Sequence, residues 1–253
     1  MMSYNPCAVI PVYRHGKTLP AVCERLEYYG LPIIVVDDGN EADTREDINQ
    51  VHKRFTSVEI VQHAKNQGKG GAVRSGILHA DALGYSHAFQ IDADGQHDLE
   101  QIPFFLEQAK LRGDGSIICG HPVYDESVPS SRKTGRKITN MWVHIETLST
   151  DIVDAMCGFR VYPVKQTAKV LRHVCIGLRM TFDIEILVRL YWKGVSFVFF
   201  PLKVIYPEGG ISNFRMVKDN IAISAMHTKL FIGMIVRLPF LLFRSYERRR
   251  KGV

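Results

Sequence analysis

The chain has 253 residues, 46% of them apolar, so disorder is excluded and a large core can form in one α/β domain, with or without an appendage. Its formal net charge is +6 and its pI about 9.0, which favours anionic partners such as nucleotides, phospholipid surfaces or nucleic acid. Five cysteines without a CxxC pair, mostly in apolar runs, exclude a disulfide framework or a zinc site and point to reduced thiols.

Read in order, short apolar runs alternate with longer amphipathic stretches. Cys7–Tyr13, Ile33–Asp38, Val58–His63, Ala88–Asp92 and Ser116–Gly120 read as strands; Thr18–Tyr29, Thr44–Phe55, Gly70–Leu83 and Leu99–Leu111 read as helices between them. Strands of nearly continuous Ile and Val imply a mostly parallel sheet with helices on both faces, whose ligands gather at the strand C-terminal ends. His121–Lys137 is polar and basic and reads as a loop feeding a helix, Ile138–Leu148. A strand-like element over Asp151–Tyr162, helices Val164–His173 and Phe182–Trp192, and a β-rich run Val195–Tyr206 follow. A boundary near Ser212 separates a main domain, 1–212, from a tail, 213–253.

Wound as a helix, the tail gathers Lys229, Arg237, Arg244 and Lys251 on one side, with Phe231, Ile235, Leu238 and Leu242 opposite. Its longest uncharged apolar run, Leu230–Val236, falls short of the roughly 20 residues a bilayer requires, so the tail is expected to lie on an anionic membrane surface and to kink at Pro239. A helix packed on the domain with a solvated basic face is the alternative. The N-terminal residues lack a basic segment followed by a long apolar one, so the catalytic side is expected in the cytoplasm, peripheral to the inner face of the membrane.

Three stretches carry chemistry. Asp92-Ala93-Asp94 closes a strand, and alternation would place both carboxylates on one face, a hard-oxygen pair suited to Mg²⁺ or Mn²⁺; an Asx turn is the plain alternative. Lys65-Asn66-Gln67-Gly68-Lys69-Gly70-Gly71 puts glycines and a lysine before a helix, where backbone N–H groups can face phosphate, though no Walker motif is present. Asp37-Asp38-Gly39 ends a strand where nucleotide-binding sheets hold a ribose or base; a β-turn is the other reading. His97 adjoins the carboxylate pair, and the remaining histidines have no metal-ligand spacing.

In their joint order, Ile10-Pro11-Val12-Tyr13, Val35-Val36-Asp37-Asp38-Gly39, Asn66-Gln67-Gly68-Lys69-Gly70-Gly71-Ala72, Asp92-Ala93-Asp94-Gly95-Gln96-His97 and Asp154-Ala155-Met156-Cys157-Gly158-Phe159-Arg160 resemble the inverting family 2 glycosyltransferases of GT-A fold. The closest likeness is to the polyprenyl-phosphate branch that includes dolichol-phosphate mannose synthases. The resemblance implies a single GT-A domain, with Pro11, Tyr13, Asp37 and Asp38 on the nucleoside side of the donor and Asn66, Gly68, Lys69 and Asp92 near its phosphates. Asp92, Asp94 and Gln96 would hold Mg²⁺ or Mn²⁺, and Arg132 and Arg136 would meet the acceptor. Two places depart from the branch: Gly120-His121-Pro122 stands for Gly-Ser-Arg, and Ser212-Asn213-Phe214 for Ser-Lys-Leu.

The activity so implied is metal-dependent, inverting transfer of a hexose from a nucleotide-sugar to a lipid-linked or membrane-presented acceptor in envelope lipid or glycan biosynthesis, without nucleic acid. Asp94 acts with the metal; for a hydroxyl acceptor, Asp154 and then Asp183 are the candidate bases, whereas a phosphate acceptor needs neither. A sugar-phosphate nucleotidyltransferase and a non-catalytic membrane adaptor with a residual nucleotide pocket are the competing readings.

Overall fold

The computed structural model describes residues 3–123, 130–203 and 215–251. The strands are β1 (Pro6–Val12), β2 (Ile33–Asp37), β3 (Val58–Gln62), β4 (His87–Gln90), β5 (Ser116–Val123), β6 (Arg160–Pro163) and β7 (Ser196–Lys203). The helices are α1 (Leu19–Tyr28), α2 (Ala42–Arg54), α3 (Lys69–Ala82), α4 (Ile102–Arg112), α5 (Ser130–Thr147), α6 (Val164–His173), α7 (Phe182–Trp192) and α8 (Met216–Lys251). The strands form one sheet in the order β3-β2-β1-β4-β6-β5-β7, parallel except for β6, which runs antiparallel to both β4 and β5. The chain leaves β1 toward β2 and β3, then returns to place β4 on β1's other side, so a crevice opens at the carboxyl ends of β1 and β4.

Burial on both sheet faces explains the unbroken Ile and Val runs. Along β1, Cys7 and Val9 join a core with α3, α5, α6, α7 and α8, while Ala8, Ile10 and Val12 join another with α1, α2 and α4. Beneath β4 the second core is aromatic: Phe89 and Phe105 each meet Phe159 edge to face, at 4.6 and 5.0 Å between centroids. Each buried phenyl ring contributes about 1.5–3 kcal/mol by leaving water, more than the roughly 0.5–1.5 kcal/mol of ring-pair geometry. Burial therefore builds this floor, and pairing only orients it.

Several expected boundaries move. β4 stops at Gln90, so Asp92 and Asp94 lie in the turn after the strand and not on its alternating face. Where described, the expected loop His121–Lys137 is strand and helix: β5 runs to Val123 and α5 already begins at Ser130, with Arg136 paired to the buried Asp154. Within Asp151–Tyr162 only Arg160 onward is strand; Asp154 Oδ1 accepts the N–H groups of Met156 and Cys157 at 2.9 and 2.7 Å, folding the chain into a turn instead. The boundary expected near Ser212, with the end of the Val195–Tyr206 run, lies outside the described residues.

The tail is one helix that continues through Pro239. Its orientation reverses the expected one, for the basic side faces the domain. Lys229 Nζ bonds Glu185 Oε1 at 3.0 Å, the Arg237 guanidinium sits 4.6 Å over the Trp192 ring, and that of Arg244 lies 4.4 Å over Tyr191. Aromatic faces desolvate these cations at little cost because the ring quadrupole attracts them. The opposite side, with Ile232, Ile235, Val236, Leu242 and Phe243, is exposed. By length and composition alone, Met216–Glu247 is also sufficient to cross a membrane, which the count of uncharged residues had understated.

Deeper in this junction, His227 Nδ1 donates to Glu146 Oε1 at 2.7 Å, with both side chains buried and Glu146 Oε2 unpartnered among the described residues. Burial raises the Glu146 pKa, against the pull of His227. A carboxyl whose folded pKa lies above its unfolded value gives stability that is complete below the unfolded pKa and is lost as pH climbs through the folded one. Glu146→Gln removes that loss. Its melting temperature relative to the parent chain is expected to rise as pH climbs above the ordinary carboxylate range. A pH-independent difference in thermal melts refutes this.

Candidate active site

The cavity at the carboxyl ends of the parallel strands has a volume of about 750 Å³. Its lining comes from Pro11–His15 at the end of β1, Asp38 after β2, Asn66, Gly68 and Lys69 after β3, and Asp92–Asp94 after β4, together with Arg179–Thr181 and the start of α8, so six separate sequence stretches meet there. Pro11, Tyr13, Asp38, Asn66, Gly68, Lys69, Asp92 and Asp94 are thus brought together on one cavity.

Asp38 organises the phosphate-type loop. Its Oδ1 accepts from His63 Nδ1 and Gln67 N, and its Oδ2 from Asn66 Nδ2 and Gly68 N, each at 2.8 Å. A carboxylate has about four lone-pair sites, so this one is saturated by its own chain and has none left for a ribose or base. The arrangement puts the His63 proton on Nδ1 and leaves Nε2 to accept from the Ser75 hydroxyl at 2.9 Å. Asp37 is likewise occupied, by Asn40 N, Asn40 Nδ2 and Gln62 Nε2, and does not line the cavity. Gly68 turns the loop into α3 at φ +94°, in the left-handed region, and a Cβ there would come within 2.6 Å of Arg179 Cγ.

Behind this loop lies a charge cluster. Lys69 Nζ donates to Asp92 Oδ2 at 2.8 Å and stands 3.5 Å from Asp183 Oδ2; the buried Arg160 reaches Asp183 Oδ1 at 3.6 Å. Burial opposes the charge on Lys69, but the Asp183 and Asp92 carboxylates outweigh it and its pKa lies above the ordinary value. Burial likewise works to raise the pKa of Asp92, yet Lys69 prevails and holds it below the usual range. Both ends of the pair are therefore charged at neutral pH. Gly158 keeps them in register, since a Cβ there would lie 2.6 Å from Lys69 Nζ and 3.0 Å from Asp92 Oδ2.

Asp92 Oδ1 is buried and has no hydrogen-bond partner among the described residues. An orphaned carboxylate oxygen with a second carboxylate, Asp94, on the same cavity fits a hard cation that takes its other ligands from phosphate and water. No cluster of three or more His, Cys, Asp or Glu side chains is present among the described residues, so the protein set is small. Gln96 enters through its backbone, donating N–H to Asp94 Oδ1 at 3.0 Å. His97 packs 5.1 Å from the Phe159 ring, and burial lowers its pKa despite Asp92 and Asp94.

The acceptor-side residues sit elsewhere. Asp154 is buried in an ion pair with Arg136, its other oxygen held by two backbone N–H groups, and neither residue lines the cavity. Asp183 also stands behind the lining. The Arg132 side chain lies outside the described residues. Sequence reasoning missed Arg14, Arg179, Arg215 and Lys218, all of which line the cavity. Arg14 adopts φ +65°, rare for a residue with a Cβ, and lies 5.0 Å over the Tyr13 ring; a sequence contains no sign of that.

The fold is an α/β domain with its cavity at the carboxyl ends of the parallel strands and a pair of carboxylates, Asp92 and Asp94, on the lining. The glycosyl transferase family 2 model matches residues 7–168, and the chain belongs to that family. It is 26% identical over 201 residues to a dolichyl-phosphate beta-glucosyltransferase of Trichomonas vaginalis, covering 71% of this chain and 59% of that protein's length. It is 28% identical to an undecaprenyl-phosphate mannosyltransferase of Micrococcus luteus over 161 residues, 61% of this chain and 64% of that one. In fold it is similar to the glucosyl-3-phosphoglycerate synthase of M. tuberculosis, with TM-score 0.64, 14% identity, and 92% and 80% of the two chains covered. It is also similar to a mannosyltransferase of Pyrobaculum calidifontis in complex with GDP-mannose and Mn²⁺, with TM-score 0.56, 11% identity, and 98% and 76% covered. The expected GT-A architecture is thereby established.

Asp38→Asn keeps the size of the side chain but turns one acceptor into a donor, leaving buried N–H groups unpaired. The expected loss of stability is about 2–4 kcal/mol in urea unfolding. Parent-like stability would show that the loop holds its shape without Asp38.

Proposed function

We propose that the chain transfers a hexose from a nucleotide-sugar to a polyprenyl-type lipid phosphate at a membrane surface, with inversion and with Mg²⁺ or Mn²⁺. The observation that carries this is the meeting of Asp92 Oδ1, Asp94, Lys69 and the Asp38-bound loop on one cavity in a chain of family 2. Named substrates of the two relatives, dolichyl phosphate and undecaprenyl phosphate, support a lipid phosphate acceptor, and the GDP-mannose and Mn²⁺ of the Pyrobaculum protein support the donor and cation classes.

In this reading Pro11 and Tyr13 border the nucleoside, the Gly68 loop and Lys69 border the diphosphate, and Asp92 with Asp94 hold the cation. The chemistry a bound Mg²⁺ or Mn²⁺ supplies is neutralisation of charge on the departing diphosphate. Lys69, protonated throughout the neutral range, places a second positive charge at the same position without needing to reorganise. An acceptor phosphate oxygen is already ionised, so attack on the anomeric carbon requires no protein base. The proposed placement is peripheral, on the cytoplasmic face of the membrane; the exposed apolar side of α8, with Lys229 and Arg237 engaged by the domain, supports its peripheral part. A helix crossing the bilayer would forfeit those cation contacts.

Asp94→Asn retains an oxygen for the Gln96 N–H, so the fold is expected to survive. Turnover with a nucleotide-sugar, a polyprenyl phosphate and titrated Mn²⁺ is expected to fall at least about a hundredfold, while stabilisation by UDP or GDP alone in a thermal-shift assay changes little. Near-parental turnover in a variant shown to be folded by circular dichroism would sink this mechanism.

A further inference from the structure

One wall of the cavity comes from the start of α8, which supplies Arg215, Lys218, Asp219 and Ala222. The turn is fixed: Asp219 is buried, its Oδ2 accepts the Arg215 N–H at 2.6 Å, and its own N–H donates to the Arg215 carbonyl at 2.8 Å. Arg215 and Lys218 are exposed, and neither side chain has a hydrogen-bond or ion-pair partner among the described residues. Two cations are thus held at a cavity without a side-chain partner among the described residues. On the sheet side the cavity has cations of its own, Arg14 and Lys69, so these two are not needed to offset Asp92 and Asp94.

Exposed apolar residues lie beside them. Val217 and Ile221, one turn apart, are 71% and 65% exposed, and Met216 beside Arg215 is 74% exposed. Lys218 and Ala222 share a helical edge that faces the cavity, with Val217 and Ile221 on the adjoining edge about 100° away. The exposed apolar side continues down α8 through Ile232, Ile235 and Val236. A ligand matching this surface has a compact dianion at one end and a hydrocarbon chain at the other.

Resting on the transferase reading above, we propose that Arg215 and Lys218 bind the phosphate of the lipid acceptor, whose hydrocarbon chain runs along the apolar edge begun by Val217 and Ile221. The helix that seats the protein on a membrane is then also the wall that receives the acceptor. Its position is tied to the donor side, because Lys229 holds Glu185, Glu185 Oε2 accepts the Gly177 N–H at 3.1 Å, and the following loop brings Arg179 and Thr181 to the same cavity.

The test is equilibrium binding to the full chain in a fixed detergent, with farnesyl phosphate, farnesol, inorganic phosphate and UDP or GDP as probes. Arg215→Gln and Lys218→Gln are each expected to weaken farnesyl phosphate about tenfold, the loss of one charge-assisted contact, and to leave UDP and GDP within about twofold. The double variant Val217→Ser/Ile221→Ser is expected to weaken farnesyl phosphate but not inorganic phosphate. If UDP or GDP binding falls and farnesyl phosphate binding does not, the cations serve the donor and the proposal is overturned. Farnesyl phosphate binding that is absent from the parent chain, equal in all variants, or no tighter than that of inorganic phosphate also overturns it. None of these measurements needs turnover, so a chain that binds in the expected pattern yet transfers no sugar refutes the transferase reading alone.

Discussion

A single carboxylate, Asp38, carries the geometry of the loop between β3 and α3. Four separate donors converge on its two oxygens, and three of them belong to residues 66–68, which thereby turn back toward β2 before α3 begins. Were the loop free, the first N–H groups of α3 would have no fixed direction and the cavity would have no floor on that side. A buried ion with all its lone pairs filled is stable because each hydrogen bond replaces one lost from water, and it is unforgiving because removing one donor strands the charge. Gly39, at φ +67°, permits this convergence by letting the end of β2 pass against the Lys65–Asn66 backbone, where a side chain has no room.

From that anchor the rest follows outward. With α3 started correctly, Lys69 points at Asp92 and Asp183, and Arg160, fully buried on β6, closes the cluster from behind by donating to the carbonyls of Ala155 and Asp183 at 2.8 Å. A buried guanidinium costs several kcal/mol in desolvation, and only a dense set of acceptors offsets it. The antiparallel insertion of β6 is what brings Arg160 beside Gln90 of β4 and Cys119 of β5, in register with the site. The cluster leaves Asp92 Oδ1 buried and without a hydrogen-bond partner among the described residues.

Much of this was legible in the residues. Runs such as Ile33–Asp37 are buried on both faces and announce a parallel sheet, and Gly-rich or Asp-rich strand ends announce where its ligands gather. What could not be read is how polar side chains divide between internal and external partners. Asp38 and Asp94 look alike in a string of letters, yet the first is consumed by its own loop and the second lines open space. The sign of the tail was misread for a related reason: amphipathic period shows that α8 has two sides, but which side the domain takes depends on Trp192 and Tyr191 being ready to receive cations. Arg215 and Lys218 were hidden by the same error, since a basic residue near a basic tail suggests lipid before it suggests a cavity.

The placement of the remaining carboxylates bears on the kind of acceptor the proposed reaction can use. A general base needs an oxygen that faces the attacking group within hydrogen-bond reach. Asp154 has none to spare: one oxygen receives Met156 and Cys157, the other meets Arg136, and the residue lies off the cavity. Asp183 directs its oxygens toward Lys69, Arg160 and Gln90, again behind the lining. Asp92 and Asp94 face the cavity, but a cation held there would occupy the very oxygens a base must keep open. None of the carboxylates that the sequence suggested as bases is therefore placed to take a hydroxyl acceptor's proton, whereas a phosphate arrives already ionised and needs only cations to hold it. Unspent cations on the wall opposite the sheet are what this geometry offers.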